Sequence, residues 1–430
     1  MSFRTKFILI LLSATLTLYT VVGGWISTSA QQPANDPNAQ LRIFESVLQH
    51  IYNDYVDEPN MDKVRAGALR GLAYGLDPYS TYLTPEQVRE YNAGNKNNQA
   101  GIGAELSQVA SYLYIVAPMK GSPADQAGLN AGDIIEYIDN KATRDISLYD
   151  AKQLLNGAPG SEVKLRVLRA NSSPLTITVK RGTSRAPAAE GRMEAGRIGI
   201  LRINSFGDGD AAEVRTRLQD LVKQGAQKVV VDLRDTAGGS LNEAASVANL
   251  FVKDGVLAET IGREGKALKT FNADPKETIF NGPVVALINT GTAGAAEVVA
   301  SALLERNRGQ VVGEKSFGAG TEQQLFQLRG GDGLLLTTVK WATASGKTFL
   351  GEDRAKSGVA PSVEVKSQEV VDAVDPDELT GNDDDEIQKS EPGAEKEKAA
   401  PAPAPKPAAE DVQLKKALEL LKDKAAAKAA

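Results

Sequence analysis

The 430 residues include no cysteine and a single histidine, His50. Disulfide frameworks, thiolate metal sites and cysteine nucleophiles are thereby excluded, and a histidine-rich metal centre cannot be assembled. His50 lies in "LRIFESVLQHIYNDYV", where apolar residues recur at helical spacing, so it reads as a polar residue on a helix face. A serine-histidine-aspartate triad would need that residue carried to a distant loop. A surplus of basic charge is missing too. The formal net charge is −6 with 24% charged residues. That is an ordinary soluble surface without the basic stripe that tracks phosphates, so nucleic acid is not an expected partner. Neither a metal nor a cofactor is expected.

What is present begins with an export signal. Arg4 and Lys6 precede an apolar run from Phe7 to Ile26, and Thr28 and Ala30 give a small-residue cleavage pattern before Gln31. Residues 1–30 therefore read as a signal peptide. The run is also long enough to span a bilayer, so an uncleaved membrane anchor is the alternative. Either way the rest of the chain is expected in the cell envelope, periplasmic or extracytoplasmic, with membrane contact only through residues 7–26.

The remaining length allows two or three domains. Over residues 35–97, Ile43, Val47, Ile51 and Val56 recur at helical spacing, with a break at "GLDPYSTYLTPEQ" that reads as a turn and a new helix start. This is a small helical segment ending in a Gly/Asn-rich linker. Residues 98–183 alternate strand-like runs ("YLYIVAPM", "DIIEYID", "EVKLRVLR", "LTITVKR") with turns and two helix-like pieces around Ala124 and Leu148, which predicts a compact, mainly β module. After the linker "GTSRAPAAEG", residues 190–366 alternate strands ("IGILRI", "KVVVDLR", "VVALIN", "VVGEK") with helices near 213–224, 241–251 and 295–304. That predicts an α/β domain with largely parallel strands, followed by a hairpin-like pair, "TEQQLFQL" and "GLLLTTVKWAT". Residues 367–409 are acidic and then Pro/Ala/Lys-rich, too polar and repetitive to pack, and read as a disordered linker. A helix over 410–425 closes the chain, with Leu414, Leu418 and Leu421 on one face, expected to dock on the body or on a partner.

Two glycine-rich turns carry the chemistry. In "GIGAEL" (Gly101, Ile102, Gly103, Ala104, Glu105, Leu106) two glycines precede a strand. Consecutive backbone N–H groups can turn inward there as a carboxylate-binding nest, and an open strand edge beside it captures a peptide C-terminus by β-augmentation. With "GSPADQAGLNAGDIIEYIDNKAT" following, the module resembles a PDZ domain. In "VVVDLRDTAGGSLNEA", Gly238 and Gly239 follow a strand and open a helix. Free N–H groups at such a start can hold a developing oxyanion, although a phosphate turn or a plain glycine pair fits the same residues.

Taken in order, "GLDPYSTYLTPEQ", "GIGAEL", "GSPADQAGLNAGD", "INSF", "DLRDTAGGSL", "TAGAAEVVASAL", "VVGEKSFGAGTEQQ" and "SGVAPSVEV" resemble the carboxyl-terminal processing, or tail-specific, proteases. The resemblance covers about residues 40–366, and "VQLKKALELL" looks like that family's closing helix. It implies a multidomain α/β protein: N-terminal helices, a PDZ domain that binds substrate tails, and a spiral core of the Clp peptidase/crotonase type with a serine-lysine dyad.

At the dyad the chain departs from the family. The family's nucleophile stretch reads G-S-A-S-A-S-E, with the serine three residues before the glutamate. Here Glu297 sets the register and Gly294 takes the serine's place. The family's lysine stands in F-G-K-G, where this chain has "FGAG" and Ala319. The separation of the two positions matches the family's. By the same resemblance Gln323 matches a glutamine that orients the dyad, and the oxyanion donors fall on the N–H groups of Gly239 and Ala295.

Glycine supplies no hydroxyl and alanine no base, and losing either member of such a unit lowers the rate about a millionfold. Thr292, Ser301, Ser316, Thr321 and Lys315 lie nearby in sequence as conceivable substitutes. The expectation is an inactive family member that binds C-terminal tails or unfolded polypeptides, as an adaptor, a homodimeric envelope scaffold, or a regulatory partner of an active paralogue. The alternatives are a serine-type endopeptidase using relocated or partner-supplied groups, and a structural protein with an idle PDZ domain.

Overall fold

The computed structural model describes residues 37–94, 100–109, 111–144, 146–183, 187–367 and 410–426, together with Ser13 and Thr17. The expected signal or anchor and the expected linker over 367–409 lie outside the described residues, apart from Ser13, Thr17 and Ser367. Among the described residues no helix is long and apolar enough to cross a membrane.

The chain divides into two compact units at Ala68. The first holds α1 (Pro37–Asp54) and the start of α2 (Met61–Tyr74). His50 sits on the exposed face of α1 and its Nδ1 pairs with Asp54 Oδ2 at 2.6 Å. In the second unit β1 (Thr81–Leu83) leads into α3 (Pro85–Ala93). Thr84 and Gln87 start α3 as a reciprocal capping box, which satisfies two otherwise orphaned amides.

The β module comprises β2 (Ala104–Val109), β3 (Tyr112–Pro118), α4 (Pro123–Gln126), β4 (Ile134–Ile138), β5 (Lys141–Ala142), α5 (Leu148–Leu155), β6 (Glu162–Leu168) and β7 (Leu175–Lys180). Its antiparallel sheet runs β2-β3-β4-β6-β7, with β5 on β4, so β2 is an edge strand. Alternation in β6, where Val163, Leu165 and Val167 are fully buried, lays one face over α5 and builds a core with Ile102, Leu106, Leu148, Ala151 and Leu155.

The α/β core follows as β8 (Ala189–Glu194), β9 (Ile198–Ile203), α6 (Asp210–Lys223), β10 (Lys228–Asp232), α7 (Leu241–Asn249), β11 (Val256–Ile261), β12 (Ala267–Asn272), β13 (Val284–Ile288), α8 (Ala295–Glu305), β14 (Gly309–Gly313), β15 (Thr321–Gln327), β16 (Gly333–Ala342) and β17 (Val363–Glu364), and α9 (Val412–Ala426) closes the chain. Its main sheet has the order β17-β14-β13-β10-β9-β8 and is parallel except for β8. Strands such as "VVALI" are apolar on both faces, so both faces must be covered. Residues of α6, α7 and α8 pack on one face. Ala417 and Leu421 of α9 pack on the other, against Ile198, Ile200, Val230, Val285, Leu287 and Val312. Arg234 pins the start of α9 with paired 2.9 Å bonds to Asp411. The closing helix therefore docks on the body.

A second, antiparallel sheet of order β1-β16-β11-β12, with β15 on β16, departs from expectation. The hairpin β15/β16 was legible, whereas β1, β11 and β12 were not. "TYL" is three residues long and "ALKTFN" is largely exposed, so neither carries a periodic apolar signal. The linker expected over 182–191 also ends early, because Ala189 already pairs with Ile203 in β8. Its "AEGRME" lacks the β-branched residues that mark strands.

Candidate active site and peptide groove

Three loops after β10, β13 and β14 meet at the carboxyl ends of the parallel strands, where open α/β sheets place their sites. Asn289 ties the first two together: its Oδ1 accepts from Asp235 N at 2.9 Å and its Nδ2 donates to Asp235 Oδ1 at 2.8 Å. Ala293 N adds a 3.0 Å bond to Thr236 O. The corner then turns into α8 through Gly294, at φ 61°, ψ −114°. This is the strained strand-to-helix geometry that exposes a nucleophile at the top of a sheet. A Cβ there would sit 3.4 Å from Gly238 O and 3.6 Å from Gly238 N, which is ordinary contact. Space for a side chain exists, and only the positive φ disfavours one.

Beneath the corner lies Glu297, fully buried. Its Oε2 accepts from Gly294 N at 2.8 Å and Ala319 N at 2.9 Å. Its Oε1 accepts from Gly318 N at 2.7 Å and Ser316 Oγ at 2.5 Å. One carboxylate thus joins the position expected for the nucleophile to the position expected for the base. Burial pushes its pKa up to about 7 against the opposing pull of the four donors.

Gly239, at φ +89°, could not carry a Cβ, which would lie 2.5 Å from Phe206 Cβ. The Ala295 N–H, expected to face the centre as an oxyanion donor, instead donates to Gly238 O at 3.2 Å, because the left-handed turn at Gly238 swings that carbonyl over the helix start. Gln323 donates from Nε2 to Thr321 Oγ1 at 2.8 Å and Thr337 Oγ1 at 3.2 Å.

Of the substitute groups, Thr321 Oγ1 accepts from Gln323, and the other four donate to partners of their own. Thr292 Oγ1 donates to Leu233 O at 2.9 Å and accepts from Asn289 N at 3.0 Å. Ser301 Oγ is buried on Val298 O, 3.1 Å away. Ser316 Oγ accepts from Val359 N at 2.7 Å while donating to Glu297. Lys315 Nζ donates to Ala355 O at 2.5 Å. The β module closes over the same place: Tyr112, Tyr114, Val116 and Ile134 pack with Ala293, Phe317, Ala237 and Ala319. Tyr114 stacks on Phe317 with ring centroids 5.7 Å apart.

In the module, the carbonyls of Gly101, Ile102 and Gly103 accept from Gly182, Ala124 and Met119, turning that side of the segment into the body. The amides of Ile102 and Gly103 have no acceptor among the described residues, and Gly103 stands at φ +71°. These are the features of an open nest beside the edge of β2. Beside the nest, Ile102, Leu106, Leu148 and Leu155 are buried in the module's core, and Lys152 of α5 reaches Glu105 of β2 at 3.6 Å.

Sequence reasoning used Glu297 only as a register mark, weighed Ser316 only as a substitute nucleophile, and passed over Phe317, Tyr114 and Arg354. A signal existed for Glu297, since a lone carboxylate in "AAEVVASALL" must find partners once that helix is buried. None existed for the others.

Comparison with known proteins accords with this architecture. Residues 197–365 match Peptidase family S41 and residues 114–169 match the PDZ domain. The chain is 31% identical over 355 residues to the carboxy-terminal processing protease CtpA of Bacillus subtilis (strain 168), covering 82% of this chain and 74% of that one. It is 32% identical over 368 residues to a probable CtpA-like serine protease of Staphylococcus aureus (strain N315), covering 84% and 73%. Among solved structures it is similar to a photosystem II D1 C-terminal processing protease, at 27% identity and a TM-score of 0.62 over 74% of this chain and 86% of that one. The chain belongs to the PDZ-containing carboxyl-terminal processing proteases of peptidase family S41.

Proposed function

We propose that this member of the family binds polypeptide tails without hydrolysing them. The observation that carries the reading is the wiring of the centre. Gly294 and Ala319 offer no hydroxyl and no amine, and their two backbone amides are both committed to Glu297. Acyl transfer needs a nucleophile activated by a base. The neighbouring hydroxyls, Thr292, Ser301 and Ser316, already hold main-chain or carboxylate partners, which weighs against relocated chemistry.

Tail binding is supported by the open nest at Ile102 and Gly103 and by the free edge of β2. The client is an extended or unfolded chain with an apolar C-terminus, because the side chains packed beside the nest, Ile102, Leu106, Leu148 and Leu155, are apolar. The N-terminal sequence supports a location in the cell envelope, outside the cytoplasm. Leu41, Ile43, Phe44, Val47 and Leu48 of α1 are all exposed, which favours a second copy, or an active relative, seated on that helix.

Fluorescence anisotropy with a labelled peptide ending in apolar residues tests the reading. The free carboxylate is expected to bind and the amidated peptide to bind at least about tenfold more weakly, the loss of one charge-assisted contact. Equal binding of the two peptides would remove the nest from the account.

A further inference from the structure

One cation beside the centre has no hydrogen-bonded or ion-paired partner among the described residues. Arg354 opens a single 3-10 turn, Arg354–Lys356, and its Cζ lies 4.0 Å from the ring centroid of Phe317, two residues before Ala319. Among the described residues no hydrogen bond or ion pair engages its guanidinium. Three half-buried arginines are engaged by contrast: Arg169 holds Asp133, Arg234 holds Asp232 and Asp411, and Arg308 holds three main-chain carbonyls.

The loop that carries Arg354 is fixed rather than loose. Lys315 Nζ donates to Ala355 O, Asp353 Oδ1 accepts from Lys356 N at 2.8 Å, and Ser357 Oγ donates to Asp353 O at 2.7 Å. Charge accumulates around it. Burial, and then the proximity of Arg354 and Lys347, hold the Lys315 ammonium below its ordinary value, with Asp353 opposing. Desolvation holds the Arg354 guanidinium below its ordinary value despite the attraction of Tyr114, Glu297 and Tyr79. The residue as a whole stays exposed, so a chain lying across the surface beside Phe317 can reach it.

We propose that Arg354 is a carboxylate receptor beside the core's centre, separate from the PDZ nest. A planar guanidinium backed by an aromatic ring and held on a fixed turn is preorganised for bidentate carboxylate binding. The ligand is an extended polypeptide carrying acidic side chains. The proposal rests on the reading of this chain as a polypeptide binder.

The test uses the full chain and four labelled peptides with an apolar end, containing either several Glu or the matching Gln, each with a free or an amidated C-terminus. Whether the C-terminus is free or amidated, the unmodified protein should prefer Glu over Gln by about tenfold, and equal binding of the two overturns the proposal. Arg354→Gln should erase that preference, and Arg354→Lys, which keeps the charge but not the fork, should retain part of it. An unchanged preference in Arg354→Gln overturns the proposal and leaves tail binding standing. Failure of all four peptides to bind overturns both. Matching thermal unfolding of Arg354→Gln and the unmodified chain excludes a folding defect, and the Lys variant carries the test if the Gln variant unfolds.

Discussion

The nest at Gly101–Leu106 and the corner at Gly294 use one device, a glycine-rich turn that presents backbone N–H groups, and the chain treats them in opposite ways. In the nest, the carbonyls face the body and the amides of Ile102 and Gly103 are left without acceptors among the described residues. At the corner, the amides of Gly294, Gly318 and Ala319 converge on buried Glu297, and that of Ala295 is taken by Gly238 O. Open donors on an accessible edge make a binding site. Donors satisfied by a buried carboxylate make a structural joint. The difference teaches that one turn device offers a ligand its amides where they stay open and holds the fold together where a buried carboxylate takes them.

The largest effect that would break this comparison comes from Glu297. Glu297→Ala strands four buried donors, each costing about 1–3 kcal/mol. A loss of at least about 4 kcal/mol, read as a fall of about 10 °C or more in Tm, is expected. Glu297 also sets a pH dependence whose sign follows from its raised pKa. The folded protein holds this proton more tightly than the unfolded chain, so the contribution is fully present below the ordinary carboxylate value and is lost as pH rises to about 7. The Tm advantage of the unmodified chain over Glu297→Gln should therefore shrink between about pH 4.5 and 7.

Next in size is Gly103→Val. Its Cβ would lie 2.5 Å from Ser122 Cβ at φ +71°. The nest should distort, with tail affinity falling at least about tenfold while the centre is untouched; circular dichroism and anisotropy read the two separately. The smallest effect belongs to Gly294→Ser. Space is available, so only the positive φ is penalised, by about 1–3 kcal/mol in thermal unfolding. A larger loss would mean that the corner no longer has a nucleophile's geometry.

The fold was legible where apolar runs are long. "KVVVD" and "VVALI" announce a buried parallel sheet, and the leucine spacing of the last helix announces a docking face. Within that helix, however, Ala417 and Leu421 are the fully buried residues and Leu414 and Leu418 are only partly covered. The short or exposed strands β1 and β12 earn their conformation from β16 and β11, a tertiary effect that local sequence does not carry. At the site, register alone located Gly294, Ala319 and Gln323. The orientation of the Ala295 amide and the packing of Arg354 on Phe317 depend on turns whose partners are distant in sequence, so they emerged only from the folded chain.

The central claim, that the centre holds no working nucleophile and base, is tested most directly by cleavage. The purified protein is incubated with an unstructured protein bearing an apolar C-terminus, beside Gly294→Ser, Ala319→Lys and the double variant, and products are resolved by mass spectrometry. Intact substrate with the unmodified chain and with each single variant is predicted, with cleavage confined to the double variant, which returns a hydroxyl and an amine to the same two turns. Cleavage by the unmodified chain that survives denaturing repurification would contradict the account.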